Sequence, residues 1–149
     1  MQLFGLLLAS TYQAFNNKHK GSEIMVEMTK REILYIYDGR KWLTIRRFRK
    51  NGTMPFKQGT KTYLKIGRTK ARYGRIEITE VIAKPLSQMT DEDAFAGGYE
   101  CAEDYINDHL TKYNTEADLD EVMLFYRFNV LWMDEELING LRREAEEVA

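Results

Sequence analysis

The sequence predicts a single α+β domain, and three observations carry that prediction. A chain of 149 residues with 44% apolar content can bury one sizeable core but hardly two. Segments rich in β-branched and aromatic residues at strand spacing recur at residues 42–49, 62–66, 74–83 and 121–132. Capped helical patterns begin at Thr29, Thr90 and Asp134.

The first helix spans residues 29–38. Thr29 and Glu32 form a capping-box pattern, Ile33, Leu34, Ile36 and Tyr37 supply apolar surface, and Gly39 suits a left-handed exit. The chain is thereby delivered directly to Arg40 and Lys41. In the strand 42–49, Leu43, Ile45 and Arg47 share one face, and Thr44 and Arg46 share the other. Lys41, at the junction, can curl towards the Thr44 face, and Trp42, two residues before Thr44, is placed to line it.

Asn51-Gly52 is a turn signal, and residues 55–59 read as a loop into the next strand, where Thr62, Leu64 and Ile66 alternate with Lys61, Tyr63 and Lys65. Residues 67–74 make a basic loop bounded by Gly67 and Gly74, ahead of the strand 74–83. Thr90 caps a short helix ending near Gly97-Gly98, and a second helix covers residues 102–113. The segment 121–132 is the closing strand. Asp134 caps a final amphipathic helix presenting Leu137, Ile138, Leu141 and Ala145. No internal repeat or low-complexity segment interrupts this order.

A formal net charge of -1 conceals a two-sided chain. Residues 40–84 carry 14 Lys or Arg against Glu77 and Glu80, whereas residues 85–149 carry 17 Asp or Glu against Lys112, Arg127, Arg142 and Arg143. Phosphates respond to the local field and not to the molecular average, so the basic half points to RNA or a nucleotide, with DNA as a further possibility. Two alternatives stay open: the halves interleave and neutralise each other, or the acidic C-terminal half binds a basic protein partner.

The single cysteine, Cys101, excludes an intrachain disulfide. With only His19 and His109 beside it, no zinc-ligand spacing exists, so neither metal nor cofactor is expected. No run reaches the roughly 18 to 20 apolar residues that span a bilayer. Residues 3–9 are as apolar as a short signal core but lack preceding basic residues, and residues 16–22 read as a loop. A cytoplasmic protein without a membrane partner is the expectation.

At Gly39-Arg40-Lys41, followed by Thr44-Ile45-Arg46, the chain resembles the ASCH family, a branch of the PUA-like β-barrels. Four further segments agree in order. They are Phe56-Lys57-Gln58-Gly59 with Tyr63-Leu64-Lys65-Ile66, the strand Gly74 to Val81, Met89-Thr90-Asp91-Glu92-Asp93-Ala94 with Gly98-Tyr99, and Phe125 to Leu131. The resemblance implies a PUA-like, partly open β-barrel flanked by helices, with a cleft between barrel and helices that accepts RNA or a modified nucleoside. It divides the chain into an N-terminal extension (1–27), an ASCH-like domain (28–132) and a C-terminal amphipathic helix (133–149).

A bacterial branch of the family hydrolyses the acetyl amide of N4-acetylcytidine with a Lys, a Thr three residues later and a Glu from the Asp-Glu-Asp-Ala helix. Lys41 and Thr44 stand at the first two positions, and Gly97 stands where the Glu is expected. Asp93, about one helical turn earlier, and Glu100, beyond the helix, are the substitutes in reach of sequence. A desolvated lysine can activate a threonine hydroxyl, so an amidohydrolase is one reading and a nuclease using the same cleft another. The preferred reading is a binding module. In it Arg40, Lys41, Thr44, Arg46, Arg68 and Arg72 meet a nucleotide, and Trp42, Tyr63 or Tyr73 stacks on a base.

Overall fold

The structure, a computed structural model, describes residues 24–113 and 118–148. The apolar run 3–9 and the loop 16–22 lie outside the described residues. The described elements are β1 (Val26–Met28), α1 (Lys30–Tyr37), β2 (Leu43–Arg46), β3 (Lys61–Ile66), β4 (Gly74–Pro85), α2 (Asp91–Ala96), α3 (Ala102–Tyr113), β5 (Val122–Met133) and α4 (Glu135–Val148).

The five strands form one sheet in the order β1-β3-β4-β5-β2, curled into a half-barrel with helices around it. β1 runs parallel to β3 and the other neighbours are antiparallel. The long pair β4–β5 carries register shifts at Arg75/Ile76 and Ile78/Glu80, and such bulges sharpen the twist that lets a sheet curl. In this strand order β1 and β2, consecutive in the chain and joined through α1, are the two free edges of the sheet.

Two cores follow from the alternation of the strands. On the concave side Leu64, Ile76, Ile78, Leu124, Tyr126 and Phe128 meet Ile33 and Ile36 of α1 and Ile138 and Leu141 of α4. Tyr126, fully buried there, satisfies its hydroxyl by donating to the carbonyl of Phe56 and accepting from the Phe56 amide. On the other side Leu43 and Phe125 are covered by Leu86, Met89, Ala94 and Ala96.

Local chemistry sets the helix limits. Thr29 Oγ1 accepts from Glu32 N at 3.1 Å while Glu32 Oε1 accepts from Thr29 N at 3.0 Å, and Gly39 leaves the helix at φ 75°. Thr90 and Asp93 repeat the box at α2, and Asp134 Oδ1 caps α4 by accepting from Leu137 N.

Three differences from the sequence-based expectation have clear causes. The strand expected over 42–49 is regular only over Leu43–Arg46, where it pairs with β5 as far as Leu124. Residues 47–50 are all exposed, so no face remains for burial to hold in register. β1 falls across the boundary drawn between 27 and 28. It is too short to show periodicity, yet Val26 and Met28 are buried in the main core. The helix set apart as 133–149 likewise contributes Ile138 and Leu141 to that core. The sheet and α4 therefore share one core.

Ile138 is fully buried. Ile138→Ala is expected to lower unfolding stability by about 2–5 kcal/mol, read as a reduced urea midpoint with an unchanged slope. A loss under about 0.5 kcal/mol, the scale of a surface change, would show α4 to be an appendage.

Candidate functional site

Between the free edge of β2, α1 and the α2–α3 segment lies an open cleft of about 840 Å³. Its position follows from the topology, since an edge strand leaves a flank that no other strand covers. Lys41, Thr44 and Arg46 all line it, in agreement with their expected common face.

Lys41 is only 6% exposed. Its ammonium donates to the carbonyl of Gly97 at 3.2 Å and lies 3.5 Å from Glu32 Oε2. Glu32 therefore has two functions, because one carboxylate oxygen closes the α1 capping box and the other faces Lys41. Burial pushes the Glu32 carboxyl up, but the Lys41 charge, the Thr29 hydrogen bonds and Arg46 outweigh it and hold the group below the usual carboxylate range.

Thr44, 4% exposed, accepts from Arg46 Nε at 3.1 Å, and Arg46 Nη2 donates to the Glu27 carbonyl at 2.6 Å. One guanidinium thus spans from β2 to β1. Gly97 has no side chain, yet its carbonyl anchors Lys41 and its amide closes α2. Asp93 does not reach the cleft. It is buried against Lys84 Nζ at 2.5 Å and Arg127 Nη2 at 3.2 Å, and Glu100, the other candidate substitute, does not line the cleft either.

The opposite wall is aromatic. Tyr99 donates to Asp108, and burial followed by this hydrogen bond drives its phenol pKa far above the ordinary value. Tyr105 packs edge-on to Tyr99 with ring centroids 4.9 Å apart and stacks on His109 at 6.3 Å. Tyr105, Asp108 and His109 share one face of α3 at spacings of three and four. At the cleft mouth Arg31 donates to the Tyr35 hydroxyl from Nε and Nη2, which lowers the Tyr35 phenol.

The remaining sequence candidates lie elsewhere. Arg40 is exposed, with its guanidinium 4.2 Å from the centre of the Tyr35 ring. Trp42 precedes the regular strand and does not follow its alternation. Its amide donates to Ala96 O, and its ring, partly buried against the second core, meets the exposed Phe95 edge-on at 5.8 Å. Arg68 and Arg72 belong to the β3–β4 hairpin, where Arg72 lies over Tyr63 at 4.3 Å. The cleft itself is of mixed charge, with Arg31, Lys41, Arg46 and Arg47 facing Glu27, Glu32 and Asp108.

Similar architecture occurs in solved structures. A DUF984 protein from Enterococcus faecalis V583 matches with TM-score 0.55 and 20% identity, over 85% of this chain and 93% of that one. An ASCH domain from Lactobacillus crispatus JV V101 matches with TM-score 0.57 and 17% identity, over 66% and 69%. ASCH from Zymomonas mobilis gives TM-score 0.52 and 12% identity, over 70% and 65%. The chain has the ASCH-domain fold. No protein-family model and no curated protein matches it.

Within this ASCH fold the sequence reading found Lys41, Thr44 and Arg46 but missed Glu32, Tyr35, Tyr99 and the α3 face as cleft residues. Glu32 was visible only as a cap. The α3 stripe was legible as a helix face, with nothing in sequence to say that it opposes β2. Among the described residues no cluster of His, Cys, Asp or Glu is placed to hold a metal ion, and no helix is long and apolar enough to cross a membrane.

Because Glu32 is held below its ordinary range, the unfolded state binds its proton first. The stabilisation is present above the unfolded carboxyl value, about pH 4.3, and is lost as pH falls through the lower folded one. Glu32→Gln removes the carboxylate 3.5 Å from the buried Lys41 ammonium. It is expected to lower stability at neutral pH by about 1–3 kcal/mol and to flatten the acid limb of stability measured by urea unfolding from pH 3 to 7. An acid limb identical to wild type would contradict the coupling.

Proposed function

We propose that the protein is an ASCH-type module that binds one nucleotide of RNA, or a free nucleotide, in this cleft. The observation that supports it most is the pairing of the Thr44–Arg46 wall with the Tyr99–Tyr105–His109 wall across a space of about 840 Å³. A volume in that range suits a nucleotide-sized ligand. Aromatic faces hold unpaired bases, while hydroxyl and guanidinium groups hold sugar and phosphate. The ASCH fold supports the same reading. Mixed charge in the cleft favours recognition of a single unit over tracking of a long phosphate chain.

The test is calorimetric titration with ribonucleoside monophosphates and a short RNA over a salt series. Binding is expected with a shallow salt slope of about one or two phosphates, and Tyr105→Ala is expected to weaken it about 10-fold. Absence of binding at low salt would sink the proposal.

Glu32 favours a second reading, hydrolysis of an N4-acetylcytidine-type amide by Lys41 and Thr44, because it places a carboxylate beside Lys41 although Gly97 supplies none. Against it stands the geometry: the Lys41 ammonium nitrogen is turned to the Gly97 carbonyl and Glu32, and the hydrogen bond of the Thr44 hydroxyl is with Arg46. If hydrolysis occurs, Thr44→Ala and Glu32→Gln should each reduce turnover of N4-acetylcytidine by about 10²-fold to 10⁴-fold. A wild-type protein inert on that nucleoside removes the reading.

A further inference from the structure

We infer a second nucleic-acid surface, separate from the cleft, on the convex face of the β3–β4–β5 sheet, where a single strand lays its bases on Tyr63 and Trp132 and its phosphates along the β3–β4 hairpin. Tyr63 opposes Arg75 in the β3–β4 register, and Arg75 opposes Trp132 in the β4–β5 register, so the three side chains form one cross-strand row. This row faces outward because Leu64, Gly74, Ile76 and Phe128 take the buried side. Trp132 is 43% exposed, and its ring meets Tyr63 edge-on at 6.1 Å. Arg72 and Arg75 lie 4.3 and 5.3 Å from the Tyr63 ring centre. Arg75 Nε is the one buried side-chain nitrogen or oxygen among the described residues that lacks a hydrogen-bond partner.

Charge identifies the occupant. From residue 57 to residue 75 the chain carries Lys57, Lys61, Lys65, Arg68, Lys70, Arg72 and Arg75 and no acidic residue. None of these seven takes part in an ion pair among the described residues. Of the cleft cations, Lys41 faces Glu32 and Arg47 faces Glu121, while Arg31 and Arg46 are engaged in hydrogen bonds to Tyr35, Thr44 and the Glu27 carbonyl. Among the described residues, positive charge therefore stands without ion-pair partners directly beside the outward-facing Tyr63–Trp132 row. A polyanion with flat rings, a single-stranded nucleic acid, matches both the field and the exposed aromatics. A duplex hides its ring faces, and an acidic protein offers none at regular spacing.

The protein has two tryptophans, and Trp42 packs against the other core. A Trp42→Phe variant of the full chain therefore reports from Trp132 alone. Titration with 12-nucleotide oligouridylate, oligothymidylate and heparin is expected to show quenching by the oligonucleotides and not by heparin. Similar affinity for the RNA and DNA strands would mark a surface that reads phosphates and bases only, and tighter binding of the RNA a contact to the 2′-hydroxyl.

Arg68, Lys70 and Arg72 are exposed, so their joint change to Glu spares the core. It is expected to weaken oligonucleotide binding at least about 10-fold and to reduce the salt slope by about 2, at about 0.7 per phosphate contact. Excess uridine monophosphate, which competes for the cleft only, should leave the quenching in place. That arm separates the two sites, since failure of the mononucleotide to bind would remove the cleft proposal and leave this one standing. Equal quenching by heparin, loss of quenching with uridine monophosphate, or indifference to the triple charge reversal would overturn the inference.

Discussion

The fold depends on how two free sheet edges are held near each other without a backbone ladder between them. β1 and β2 are consecutive in the chain but lie at opposite ends of the sheet order. Closure falls to side chains, and Arg46 supplies it by reaching from β2 to the Glu27 carbonyl on β1 while holding Thr44 on its own strand. A charged donor on a backbone acceptor is stronger than a neutral pair, and it leaves space beside it that a paired strand would have filled. The cleft is the consequence of closing a barrel with one guanidinium.

The same economy of groups explains why Lys41 can be buried. An ammonium taken out of water requires a counter-charge and further hydrogen bonds. Here three elements converge on it: Glu32 from α1, the Gly97 carbonyl from the end of α2, and the start of β2 that carries Lys41 itself. Lys41 thus ties the helices to the sheet edge, and what remains for a ligand on that wall is chiefly Thr44, Arg46 and the cations at the rim. The count of positive charge over residues 40–84 joined the cleft and the hairpin in one region, because it could not see which cations have acidic neighbours.

Much of the fold was legible because its local signals agree with one another. The Thr29–Glu32 and Thr90–Asp93 boxes, the alternation of Thr62, Leu64 and Ile66, and the apolar face of α4 all hold in three dimensions. What escaped has a common cause. β1 has three residues, too few for a period. Trp42 was assigned by strand alternation although the strand begins one residue later. Gly97 was judged by the side chain it lacks, whereas its contribution is a carbonyl, and backbone groups are invisible to a residue-type alignment. Glu32 was explained by its cap alone, although a carboxylate has two oxygens and can satisfy two sites.

These limits bear on how a lysine and a threonine in such a fold should be read. Spacing places both side chains on one face, and that is all it can do. Whether the lysine is a base, a phosphate contact or a structural cation is decided by the group opposite it, which comes from another element. In this chain that group is Glu32, and the Lys41–Glu32 contact makes the cation an internal tie. In the proposed reading, recognition falls to Thr44, Arg46 and the aromatic surfaces around it, and long-range attraction of a polyanion to the seven cations of residues 57–75, which no carboxylate pairs among the described residues. In that proposal the one basic region read in the sequence separates into two surfaces with different physics: a cleft selective through shape and hydrogen bonds, and an outer face whose attraction weakens steeply with salt.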